Sequence, residues 1–251
     1  MNQMKRHIFP QVAGIIALML SWEVLSIWRT DLIPHLTSVA SAVVALLQES
    51  STHKDILWTL RRIAIAFIAA VGLGIPLGIL IGSSRRLRLS FTGPIDFMRS
   101  LPAFVLLPAF LVLFSGGETA RIAMAAFGAG IVILANTILG VAHIRQTRIE
   151  VARLYGASKA FILMGVVGPQ VLPQAGDGCL VGLSLTTILV IVSEIMLGAT
   201  FGLGTRVNDS LASFELPRMY ALIAIIGGLG YGMNLIARIV VGRMSRHGRH
   251  L

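Results

Sequence analysis

Six separate stretches, near 8–28, 58–82, 95–114, 121–142, 174–198 and 219–241, are each apolar over about the length a helix needs to cross a bilayer, which is roughly 20 residues. Six such stretches in 251 residues leave no room for a soluble domain. Charge points the same way. Asp, Glu, Lys and Arg make up 13% of the chain, against about a quarter of a soluble globular domain, too little to coat a water-facing surface of this size. The expectation is an all-α integral membrane protein with about six transmembrane helices, forming one domain over residues 1–251.

A formal charge of +10 invites a nucleic-acid reading, but the distribution of the charge argues against it. With both termini on the cytoplasmic side, the segments on that side hold Lys5, Arg6, Arg85, Arg86, Arg88, Arg145, Arg148, Arg153, Lys159, Arg243, Arg246 and Arg249. The opposite side holds fewer basic residues (Arg29, Lys54, Arg61, Arg62, Arg121, Arg206, Arg218) and most of the acidic ones. This is the positive-inside bias, which orients a membrane protein. The first stretch follows Lys5 and Arg6, lacks a small-x-small cleavage site and ends in Trp22, Trp28 and Arg29. It reads as a retained helix with interfacial anchors, not a signal peptide. Cys179 is the only cysteine, which rules out an internal disulfide and a thiolate cluster.

Between the spans the punctuation is informative. Thr37 or Ser38 can cap an interfacial helix carrying Val39, Val43, Leu46 and Leu47 on one face. Gly74, Gly78 and Gly82 fall four apart, the spacing that lets a second helix approach closely. The stretch 85–88 reads as a short basic loop, and Pro94, Pro102 and Pro108 interrupt the span that follows. Prolines there free carbonyls that need partners, so they mark either a pathway or a packing kink.

The segment 147–173 is a polar insert between two apolar spans. Thr147 and Glu150 have the spacing of a capping box. The helix they open would run to Tyr155 and break at Gly156, where a left-handed conformation costs little. Ser158 can cap a second short helix, after which Gly168-Pro169 and Leu172-Pro173 would turn the chain back to the membrane.

Read as Glu150-x-Ala152-x-x-x-Gly156 followed by Val166-x-Gly168-Pro169, this segment resembles the cytoplasmic coupling loop of binding-protein-dependent ABC importer permeases. Residues 32–39, the run from Pro94 to Glu118, and Gly202-Leu203-Gly204 after Glu194 are similar to the nitrate, sulfonate and taurine branch of that family. The resemblance implies a coupling loop over 143–173 whose Glu150, Ala152, Arg153, Gly156, Ala157, Ser158, Val166 and Pro169 dock a separate ATPase subunit. It implies further partners: an extracytoplasmic substrate-binding protein, a second permease copy (most simply a homodimer) and membrane lipid. ATP and Mg would be bound by the ATPase, with no cofactor on this chain. The place implied is a bacterial inner membrane, and the cargo a small anion such as a sulfonate, taurine or nitrate.

Candidates for the translocation path are Glu194, Ser193, Thr187, Asn136, Pro102 and Pro108. An ionisable group within a bilayer is costly, so Glu194 either lines a water-filled path or staples helices together. Asn136 reads also as interhelical glue, Asp177 as a cap of the fifth span, and Glu23 as a packing or interface residue. The chain has no Walker A loop, no His-Glu-x-x-His and no nucleophile elbow, and His247 and His250 sit in a short basic tail. The alternative function is an ion-gradient-driven secondary transporter or channel, which would leave the glycine-broken insert without a partner.

Overall fold

The computed structural model describes residues 2–144 and 146–248, with side chains over 12–144, 147–158, 160–243. Arg145, and the side chains of Lys5, Arg6, Lys159, Arg246, Arg249, His247 and His250, lie outside the described residues. Every regular element among the described residues is helical. Helix α1 is Asn2–Trp28, α2 Leu36–Gln48, α3 Ser50–Gly82 and α4 Arg85–Ser100. A 3-10 turn over Ala103–Leu106 leads into α5, Leu107–Phe114, and then α6, Gly117–Ala142. After α7, Gln146–Leu154, come α8, Lys159–Phe161, a π-turn over Ile162–Val167, and α9, Gly168–Leu197. Helices α10, Leu203–Ala212, and α11, Leu216–Gly248, complete the chain.

Four helical segments are long and apolar enough to span a membrane: α3, α6, the continuous run Ile162–Leu197, and α11 over Leu216–Arg243. A fifth candidate is α4 with the 3-10 turn and α5, bent by 90° at Leu101-Pro102. Over its described side chains, α1 contributes a shorter apolar stretch, Val12–Trp28.

The core is α3, α6 and α9. The expected glycine stripe makes it close. A Cβ on Gly74 would sit 3.0 Å from the Gly130 carbonyl, on Gly78 2.5 Å from Thr137 Cβ, and on Gly82 2.7 Å from Val141 Cβ. Those contacts run in register from Gly74 to Gly82 and from Gly130 to Val141, so α3 and α6 point the same way. Helix α9 runs against both, with Gly178 on Asn136, Gly182 on Ile133, and Gly128 on Leu189. Helix α11 runs back beside α9, where Ser184 donates to Asn234 Oδ1 at 3.0 Å and Gly176 faces Val241. Such close approaches gain dispersion contacts that a bilayer cannot supply through the hydrophobic effect.

Several expectations change. The basic stretch 85–88 is the first turn of α4, because Ser84 caps it, its hydroxyl accepting from Leu87 N–H at 3.5 Å. The expected span 95–114 is thus the second half of a longer broken element whose corner is Pro102. Proline cannot continue the preceding helix, and Leu101 before it is extended at φ −78, ψ 125. Helix α2 starts at Leu36 with His35 as cap, which places Thr37 and Ser38 inside its first turn. Glu23 is what secures that start: it accepts from Leu36 N–H at 3.2 Å and lies 2.8 Å from His35 Nδ1.

Candidate functional site

The two ends of the bundle carry different constructions. At one end, α7 closes in a Schellman arrangement. Gly156 N–H donates to Arg153 O at 2.9 Å and Ala157 N–H to Ala152 O at 3.0 Å, with Gly156 at φ +76. This is the left-handed break expected from sequence. The helix begins at Gln146, so Thr147 stands in its first turn and not at the cap. Ser158 then opens the next helix, its hydroxyl accepting from Phe161 N–H at 3.2 Å and its carbonyl from Ile162 N–H at 2.9 Å.

Gly168-Pro169 and Leu172-Pro173 do not turn the chain; they lie inside one helical run. The π-turn explains why. Gly168 N–H reaches back to Leu163 O, so the hydrogen-bond ladder is already opened by one residue where Pro169 has no N–H to give. The elbow therefore passes into α9 without a break in the helical run. Its inner face is anchored by Ile149, Ala152 and Ala157, which pack on Val141, Ile144, Ile162, Val167 and Val171 at the ends of α6 and α9. Its tip is bare: Leu154 is 85% exposed, Tyr155 88% and Met164 81%. Glu150, Arg153, Gly156 and Ser158 are exposed with that tip, while Val166 and Pro169 are half-buried at the junction with α9. Ala152 and Ala157 belong to the anchor.

At the opposite end, Glu194 is fully buried near the end of α9 and its carboxylate is saturated. It accepts from Arg62 Nη1 at 2.7 Å, from the Thr59 hydroxyl at 3.0 Å and from Gly204 N–H at 2.9 Å. The start of α10 is held by other helices. Gly202 N–H donates to Asp55 Oδ1 at 2.8 Å, Leu203 N–H to Thr59 Oγ1 at 3.0 Å and Gly204 N–H to Glu194. These are the orphan donors of a helix N-terminus, whose positive end favours the two carboxylates. Arg62 also grips Glu118 at 2.9 Å and 3.1 Å through Nε and donates to Phe201 O at 2.7 Å. Arg121 pairs with Glu118 at 3.2 Å and donates to Gly198 O. Phe201 stacks on Trp58 with centroids 6.1 Å apart.

A second layer, nearer the surface, pairs Arg206 with Asp55 and Glu49, and Arg218 with Glu49 at 2.7 Å. Burial alone would raise the Glu49 carboxyl, but Arg218 and Arg206 overcome it and hold it below its ordinary value. The inner layer sets two guanidinium groups against two carboxylates, and the outer layer sets two against Glu49 and Asp55, with Glu215 3.9 Å from Arg218 at its edge.

The path candidates scatter. Glu194 and Ser193 are fully buried inside the chain, Ser193 donating to Val190 O at 2.7 Å. Thr187 donates to Leu183 O at 2.9 Å and Asn136 to Val132 O at 2.9 Å, each within its own helix. Among the described residues Asn136 thus shows no hydrogen bond to another helix, and it meets α9 by packing on Gly178. Pro102 is the corner of the broken element and Pro108 lies in the first turn of α5. Asp177 is exposed and stands nine residues past Gly168, well inside α9, so it caps nothing. The residues missed from sequence are Asp55, Thr59, Arg62 and Glu118. The available signal was Arg62 at the head of an apolar span, on a side of the chain where acids and bases are nearly balanced.

Residues 74–246 match the protein family described as binding-protein-dependent transport system inner membrane component. The chain is 30% identical over 187 residues to the taurine transport system permease protein TauC of Escherichia coli, covering 74% of this chain and 68% of that one. It is 27% identical to the bicarbonate transport system permease protein CmpB of Synechococcus elongatus, covering 87% and 83%. Its fold is similar to the inward-facing MetNI methionine ABC transporter, with TM-score 0.67 and 20% identity over 76% of this chain and 94% of the other.

Proposed function

Since the chain belongs to the binding-protein-dependent transport system inner membrane components and is an ABC importer permease, we infer that its elbow is the seat of a cytoplasmic ATPase subunit. The observation that carries this is the elbow's construction: an exposed apolar tip on a turn fixed by Gly156 and joined without a break to α9. Exposed patches of this kind on a membrane protein mark partner surfaces. Glu150, Arg153, Gly156 and Ser158 form the docking face. Ala152, Ala157, Val166 and Pro169 transmit its movement. The run Ile162–Leu197 holds 36 residues, so it reaches about 54 Å at 1.5 Å per residue, from the elbow to the Glu194 network.

ATP and Mg sit on the partner, and this chain binds neither. Two ATPase subunits grip two permease copies, most simply identical, and a substrate-binding protein delivers cargo to the opposite end, where α10 and residues 198–202 lie. With the elbow inside, the termini are cytoplasmic and the membrane is the inner one. The path runs between copies, with Thr187, Asn136, Pro102 and Pro108 as its nearest candidates; Glu194 and Ser193 act by holding α10. A small oxyanion or amino-sulfonate is the cargo class favoured by the taurine and bicarbonate relatives.

Affinity isolation from native membranes in mild detergent tests the partner assignment. Wild type should bring down an ATPase subunit, and Gly156→Val should bring down markedly less. Uptake should survive collapse of the proton and sodium gradients and stop on ATP depletion. Intact recovery without any ATPase would refute the reading.

A further inference from the structure

Beside the elbow lies a cleft that shares Arg153 and Ala157 with the elbow and is otherwise unused by the transport scheme. It is lined by Gly82 and Ser83 at the end of α3, Arg85 and Arg88 on the first turn of α4, and Arg153 on α7, over a floor that includes Val141, Ile162 and Val167. Its cavity volume is about 650 Å3. Arg85, Arg88 and Arg153 come from two separate segments, and none of them pairs with a carboxylate among the described residues. This contrasts with the opposite end, where Arg62, Arg121, Arg206 and Arg218 are all matched by acids. The depth is also defined. Gly82 ends α3, Val141 lies at the end of α6, and Ile162 begins the next span, so the cleft opens where apolar helices meet the membrane surface.

We propose that this cleft binds the headgroup of an acidic phospholipid, with its phosphate held by Arg85, Arg88 and Arg153 and its glycerol and upper acyl carbons on the Val141, Ile162 and Val167 floor. Guanidinium groups suit a phosphate because their planar forks donate in pairs. Position suits a lipid, because the apolar floor continues into the hydrocarbon layer whereas a free anion would gain nothing from it. The lipid would tie the α3–α4 corner to α7 and so brace the elbow against its own bundle. The binding site stands on the cleft alone; only the consequence for ATPase docking rests on the function proposed above.

The test is native mass spectrometry of the purified full chain with phosphatidylglycerol or phosphatidylcholine added, alongside inorganic phosphate. Wild type should bind phosphatidylglycerol in preference to phosphatidylcholine. Arg85→Gln/Arg88→Gln should weaken that binding about tenfold, since each surface arginine contributes to the attraction of anionic lipid. Arg86→Gln/Arg148→Gln removes the same charge from residues outside the cleft and should leave the binding within about twofold of wild type. Equal loss in the two double variants would overturn the site in favour of diffuse surface charge. Displacement of the lipid by millimolar phosphate would overturn the lipid assignment. Displacement by the ATPase subunit would show that the arginines serve that interface instead. Each outcome is read on the isolated chain or a binary mixture, so failed ATPase capture elsewhere does not decide it.

Discussion

At one end of α9, Glu194 is fully buried and bonded to Arg62, Thr59 and Gly204. At the other end, the elbow leaves Leu154 and Tyr155 almost wholly in the open. The first construction pairs its arginines and carboxylates with one another inside the chain and ties α10 to α3 and α9. The second satisfies its backbone locally and leaves its side chains for another molecule. A continuous helical run joins them. The contrast teaches where stability and where partnership are invested: substitutions at the Glu194 end should unfold the bundle, and substitutions at the elbow should leave it folded but uncoupled.

The strongest way to break that contrast is Glu194→Ala. It leaves Arg62 buried, with its side chain 4% exposed, and takes the acceptor from Gly204 N–H. Wholly orphaning a buried charge costs about 3–5 kcal/mol. Arg62 keeps Glu118, which is 45% exposed and only partly replaces Glu194, so the cost lies toward the lower end of that range. The expected outcome is a large fall in the thermal midpoint in detergent and loss of folded protein in membranes. Arg62→Met combined with Glu194→Met should recover part of that fall, since removing both charges also removes the need to desolvate them. A Glu194→Ala protein as stable as wild type would erase the distinction between the two ends.

Sequence showed one end far more clearly than the other, for a physical reason. The elbow is local chemistry: Gly156, Ala157 and Ser158 determine their own turn through bonds three to five residues apart. The Glu194 network is assembled from positions far apart, with Arg62 132 residues and Asp55 147 residues from their partners. No spacing rule reaches that far, so Glu194 stayed open between path and staple, and Arg62 went unpaired. The glycine stripe was legible because three positions share one helical face, and Gly78 meets Thr137 as the spacing implies. The turn at Gly168-Pro169 was misread because proline signals a break, and only the π-turn before it shows how the helix absorbs two prolines and continues.

Two glycine substitutions sharpen the comparison at intermediate cost. A Cβ on Gly202 would stand 2.7 Å from Glu194 Cδ and 2.9 Å from Arg62 Nη1. Gly202→Ala must push that network apart, and overpacking of this kind costs about 1–3 kcal/mol. A Cβ on Gly156 meets nothing within 4 Å, so Gly156→Val pays only for a branched residue at φ +76, about 1–2 kcal/mol. The difference lies in the readout. Gly202→Ala should lower the thermal midpoint and transport together. Gly156→Val should keep most of the stability, yet lose ATPase capture and transport. Equal thermal losses with retained transport in both would count against the division of labour.

The smallest effect belongs to the outer layer. Arg218 and Arg206 hold the Glu49 carboxyl below its ordinary 4.5 against the opposing pull of burial. A carboxyl depressed in the folded state adds stability that is fully present above the unfolded value and disappears as pH falls through the folded one. The loss should therefore begin as pH drops to about 4.5 and continue below it. Glu49 is partly solvated, its side chain one-third exposed at 33%, and such pairs contribute about 1 kcal/mol or less. Thermal midpoints of wild type and Glu49→Gln, compared at pH 7 and at pH 4, should differ slightly at pH 7, with the gap already narrower at pH 4. If the gap widened on acidification instead, Glu49 would be stabilised as the neutral acid, and the outer layer would not be the ion-paired lid that its geometry describes.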